Sequence, residues 1–169
     1  MKVMKEIFYR IKDENKINNL YLLPILSGAL FVLLLYGLSM DFFVYIIIMM
    51  IGIIDFNTFL IPDILNYAIL FLGVIFSFSA KNIFVAIYLY LTLWIFVRKG
   101  KLGKGDQILL AGIGMCFGES VFDIMLISLL IALFYQLKKG KEKVPYGYFV
   151  SIGTALYLII NKFYPFSII

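Results

Sequence analysis

Tyr45-Ile46-Ile47-Ile48-Met49-Met50-Ile51-Gly52-Ile53-Ile54 is an apolar run that ends on Asp55, and Phe56-Asn57-Thr58-Phe59-Leu60-Ile61-Pro62-Asp63 leads from that acid into the next run. A carboxylate at the edge of such a run is costly unless it is paired or used. The pattern recurs at Gly103-Lys104-Gly105-Asp106-Gln107, where a second acid stands between a polar loop and an apolar run. Two such acids in one small chain point to a catalytic pair.

The rest of the chain fits a membrane setting. Of its 169 residues 63% are hydrophobic and 15% charged, and the mean hydropathy is +1.01, far from a soluble average. Apolar runs fall at about 20–40, 42–54, 64–80, 82–97, 106–118, 120–137 and 144–161. This predicts an all-α fold, a polytopic integral membrane helical bundle of about seven transmembrane helices within a single domain, 20–169. The second and fifth runs reach only about 20 Å at 1.5 Å per residue, short of a hydrocarbon core of about 30 Å. They must borrow length from their flanks, which draws Asp55 and Asp106 to the membrane surface.

Residues 1–19 precede the first run. Met4, Ile7, Phe8 and Ile11 follow helical spacing with Lys2, Lys5, Arg10 and Lys12 mostly on other faces, as in an amphipathic helix lying on an anionic leaflet. A solvated basic tail that only orients the first span fits equally well. The segment is not read as a signal peptide, because its charged part is long and no small-residue cleavage site follows.

Charge placement sets the expected topology. The tail, the loop near 98–104 and the loop near 138–143 hold 13 of the 15 lysines and arginines. The positive-inside rule then puts the tail in the cytoplasm, the carboxy-terminus outside, and both the 55–63 and 98–106 loops on the cytoplasmic side. The net charge of +5 is thus accounted for by topology, and no nucleic-acid partner is expected. With no histidine, Ser-His, Cys-His and His-zinc chemistry are excluded. A single cysteine, Cys116, leaves no disulfide framework and no thiolate site. No metal and no cofactor is expected.

Each candidate residue has a plainer reading beside the chemical one. Gly103 and Gly105 let a backbone come close to Asp106, which suits an extended peptide lying against the acid; taken alone, the string fits a helix cap better. Pro62 and Asp63 are ordinary helix-start residues. Asp55 ends a helical run, where the macrodipole disfavours negative charge, and so asks for a functional reason. Asp41 and Glu119 lie at the opposite, interfacial ends, and Asp123 is expected to be hydrogen-bonded inside the bundle. Gly114 and Gly118 suit close helix packing.

Together these residues resemble the type IV prepilin peptidase family, membrane aspartyl proteases of the Gly-x-Gly-Asp type. The resemblance covers about residues 42–160. It rests on Asp55 with Ile61-Pro62-Asp63, on Gly103-Lys104-Gly105-Asp106 with Leu109-Leu110-Ala111, and on Val144-Pro145-Tyr146-Gly147. It implies that Asp55 and Asp106 are the catalytic dyad, with Gly103, Gly105, Pro62, Asp63 and Pro145 in the loops that receive substrate. The implied substrate is a prepilin or pseudopilin helix with a short basic leader, cleaved at the cytoplasmic face of the inner or plasma membrane; membrane lipids are the other expected partner. Ile108 stands where many bacterial members carry a lysine, and the cysteine-containing loop of bifunctional members has no counterpart, so N-methylation is not carried over. The sequence assigns no oligomeric state. The rival reading is a small proton- or ion-coupled transporter or channel subunit, whose acids would be spread in depth across the membrane.

Overall fold

The computed structural model describes residues 19–140 and 144–164. Among the described residues seven helices follow one another: α1 (Asn19–Tyr36), α2 (Met40–Thr58), α3 (Asp63–Phe76), α4 (Ala80–Arg98), α5 (Lys104–Phe117), α6 (Ser120–Lys139) and α7 (Tyr146–Phe163). The described residues contain no strand. The expected amphipathic segment lies outside the described residues.

Helix ends follow from local chemistry. The Ser39 and Ser79 hydroxyls accept the N–H groups of Phe42 and Asn82 and start α2 and α4, each taking up one of the N–H groups that a first turn leaves without a partner. Pro62 and Pro145 precede α3 and α7. The second span runs longer than the apolar pattern alone indicates. Asn57 Nδ2 donates to the Ile53 carbonyl at 2.7 Å and Thr58 Oγ1 to the Ile54 carbonyl at 2.8 Å, so these polar side chains are satisfied on the helix's own carbonyls within its last turn. Asp55 therefore sits inside the last turn of α2 rather than at its end. The chain then leaves the helix through Phe59, in the left-handed conformation at φ 53° with its N–H on the Asp55 carbonyl.

The helices form two groups. In one, α3 and α4 flank α5; in the other, α1, α2 and α6 pack around α7. The groups meet along α2 and α3 and along α5 and α6, with a lighter contact between α5 and α7. Tyr45, Ile48 and Ile51 of α2, Ile69 of α3, Leu109 and Ile113 of α5, Ile124 of α6 and Val150 of α7 make the shared core. Gly114 lies against Leu89 and Val85 of α4, the close packing expected of it. Gly118 lies just beyond the end of α5 in a turn at φ 60°, and a Cβ there would lie 2.6 Å from Asn82 Oδ1 of α4, so it too is held close to that helix.

The outer surface is apolar. On α4, Phe84, Ile87, Leu91 and Ile95 are all exposed, which suits hydrocarbon and not water. Three helices, Met40–Thr58, Ala80–Arg98 and Ser120–Lys138, are long and apolar enough to cross a membrane. This is a polytopic membrane bundle.

Candidate active site

Asp55 and Asp106 come from different groups of helices and reach the same end of the bundle. Asp55, buried in the last turn of α2, directs its carboxylate at the start of α7. Its Oδ2 accepts the Gly147 N–H at 2.8 Å, across 92 residues of sequence, and the Tyr148 N–H also bonds to it. The first N–H groups of a helix lack intrahelical partners and carry the positive end of its dipole. Pro145, which precedes α7, offers no side-chain cap, so Asp55 caps the helix from another part of the chain. The functional reason expected for an acid in this unfavourable position is thus joined by a structural one, supplied by α7.

Asp106 occupies the first turn of α5 and is partly exposed. Its Oδ2 accepts the Gly103 N–H at 3.2 Å, so the plain helix-cap reading of this acid holds as geometry. The Asp55 charge acts on Asp106, and the Tyr146 side chain at the start of α7 lies within the field of Asp106. The N-terminus of α7 is therefore a common neighbour of both acids.

Ile61, in the loop between α2 and α3, locks the parts together. A Cβ on Gly105 would lie 2.8 Å from Ile61 Cβ, and one on Gly147 would lie 3.2 Å from Ile61 Cδ1 and 3.1 Å from Asp55 Oδ2. Real Cβ atoms essentially never approach within 3.0 Å, so only glycine fits at Gly105 without a shift. The space that Gly105 was expected to leave for an extended substrate is filled by the protein's own isoleucine.

The other expected site residues divide. Pro62 and Pro145 are buried at the starts of α3 and α7. Gly103 gives its N–H to Asp106. Asp63 is exposed in the first turn of α3, where its charge suits the helix dipole. Asp41 and Glu119 lie at the opposite end, Glu119 pairing with Lys81 at 2.8 Å, and Asp123 is buried in α6. Among the described residues no group of three His, Cys, Asp or Glu is placed to hold a metal ion.

Two buried amides next to the acids escape the sequence reading. Asn66 Nδ2 donates to the Gly105 carbonyl at 3.1 Å, and Gln107 Nε2 donates to the Tyr90 carbonyl at 2.7 Å. Their only signal is an uncharged polar residue inside an apolar run.

The chain spans 64% and 49% of the length of two curated relatives. It is 26% identical over 155 residues, 80% of its own length, to a prepilin leader peptidase/N-methyltransferase of Escherichia coli (strain K12). It is 28% identical over 137 residues, 69% of its length, to a protein of the same name from Pectobacterium carotovorum subsp. carotovorum. No solved structure matches. The description of a known family, the type IV leader peptidases, fits residues 42–137. That stretch is more than half of the chain and takes in both acids with Ile61, Asn66 and Gly105, so the chain belongs to the type IV leader peptidase family.

Proposed function

We propose that the chain is an aspartyl endopeptidase of the inner membrane that removes the basic leader from prepilin or pseudopilin precursors, with Asp55 and Asp106 as its catalytic pair. The observation that carries this is the meeting of the two acids, 51 residues apart in the chain, at one end of the bundle beside the N-terminus of α7. Two neighbouring carboxylates do not readily both ionise, so the pair holds one proton. Asp55, which receives two backbone N–H bonds, acts as the base, and Asp106 carries the proton.

A water held between them adds to the scissile carbonyl. Its proton passes to Asp55, while Asp106 gives its own proton to the carbonyl oxygen, producing a neutral tetrahedral diol. On collapse the C–N bond breaks, the leaving nitrogen takes the proton from Asp55, and a diol hydroxyl returns one to Asp106. Protons balance and the pair is restored. Lys99, Lys101, Lys104 and Lys138 cluster at the site's end of the bundle, which supports a cytoplasmic orientation for it. The one cysteine, Cys116, lies in α5 with its Sγ on the Ile69 carbonyl, so the proposal is limited to cleavage and includes no methyl transfer.

The test is co-expression of a prepilin with the wild-type chain, Asp55→Asn or Asp106→Asn, read as a leader-sized mobility shift. Wild type should process the precursor and neither variant should. Full processing by either variant at equal protein level defeats the dyad assignment.

A further inference from the structure

Asp106 is pinned on both sides by buried amides. The residue before it, Gly105, gives its carbonyl to Asn66 Nδ2 on α3; the residue after it, Gln107, gives its side chain to the Tyr90 carbonyl on α4. Asn66 is the more informative of the two. It stands in the first turns of α3 with no exposed surface, and its own N–H closes onto the Pro62 carbonyl at 3.3 Å. It therefore links the loop that carries Ile61 to the first turn of α5, which carries Asp106. A carbonyl can only accept, so the Gly105 contact fixes which end of the amide faces it. Oδ1 must then point the other way, where it is buried and has no hydrogen-bond partner among the described residues. A buried acceptor without a protein donor is costly, so the amide is kept at this position for its donor end, which holds the Gly105 carbonyl.

We propose that Asn66 is a positioning residue for the cleavage reaction: Nδ2 anchors the Gly105 carbonyl and so holds Asp106 toward Asp55. This rests on the peptidase reading for its catalytic consequence, whereas the tether itself does not.

Two near-isosteric substitutions in the purified full chain test it. Asn66→Leu removes donor and acceptor while filling the space, and should lower kcat about 10–100-fold with KM within about twofold, since displacement of a reacting group by about 1 Å costs on that order. Asn66→Asp at neutral pH offers the Gly105 carbonyl no hydrogen and should lose as much. As the pH falls and the new carboxyl takes up a proton it can donate again, so the ratio of its kcat to that of wild type should rise. The Asn66→Leu ratio should stay flat, whereas a mere packing role predicts no pH-dependent difference between the two. Hydrogen exchange at the amides of Gln107 to Leu110 supplies a readout independent of activity, and should speed up in Asn66→Leu while the amides of α7 keep their protection. Wild-type kcat in Asn66→Leu, or unchanged exchange over 107–110, overturns the proposal. If wild type itself cleaves no prepilin, the peptidase reading falls and takes the catalytic role with it, while the exchange result still decides the tether.

Discussion

Gly105→Ala puts a single methyl group against Ile61, whose contacts with Gly105 and Gly147 align the two halves of the site. Built on the present backbone, the new Cβ lies 2.8 Å from Ile61 Cβ, and ordinary contact begins at 3.4 Å. The obstacle is a branched carbon next to the backbone of the α2–α3 loop, not the flexible end of a long side chain, so rotation of a side chain does not relieve it. Either α5 or the loop must move by about 0.2 to 0.6 Å, the distance from 2.8 Å to the shortest contact that real Cβ atoms make and to ordinary contact. Overpacking of this kind costs about 1–3 kcal/mol, while alanine recovers up to about 1 kcal/mol of helix propensity over glycine. The net loss of stability is about 0–2 kcal/mol, and the protein should fold. Asp106 follows Gly105 directly and moves with it; since misplacement by about 1 Å costs about 100-fold, this smaller shift should lower kcat by about 3–10-fold. The assay is steady-state cleavage of a prepilin in detergent, with thermal unfolding in parallel. Ile61→Gly removes the atom that the new methyl group would strike, so the double variant should recover part of the lost kcat, a coupling visible in a double-mutant cycle. Wild-type kcat in Gly105→Ala at equal folding, or no recovery in the double variant, would refute the reasoning.

Other expectations follow from the same geometry. Asp63→Asn and Asp123→Asn, at an exposed helix start and at a buried position in α6, should retain cleavage within about threefold where the dyad variants lose it, as a mobility-shift assay will read. A pair sharing one proton gives a bell-shaped dependence of kcat/KM on pH: the acid limb falls as Asp55 becomes protonated and the alkaline limb as Asp106 gives its proton up. Each remaining single acid should lose one limb along with the activity, and a flat profile between the limits of folding would contradict the shared proton. Glu119→Gln breaks an ion pair whose side chains are 64% and 61% exposed; such surface pairs contribute about 0–1 kcal/mol, so both the unfolding midpoint and kcat should stay close to wild type.

The seven helices are legible in the sequence because a membrane span demands an unbroken apolar run, and interruptions of that run are punctuated by Ser39, Pro62, Ser79, Gly103 and Pro145, which start helices for local reasons. What is not legible lies in contacts between residues distant in the chain. Asp55 reads as an acid at the wrong end of a helix; the reason it is tolerated there is the start of α7, 92 residues onward, which no local pattern near Asp55 announces. Gly105 reads as room for a substrate, and the room belongs to Ile61. Asn66 and Gln107 read as nothing, since one amide in an apolar run has many uses. The two acids stand on helices of different groups, α2 with α7 and α5 with α3 and α4; the Asp55 cap on α7 and the Asn66 bond to Gly105 each act within one group, and what joins the groups at this end is Ile61, which lies against Gly105 of α5 and Gly147 of α7. The distance between the acids is therefore set by how the two halves of the bundle dock. A substitution that loosens the docking should lower turnover while leaving both acids, and most of the stability, in place.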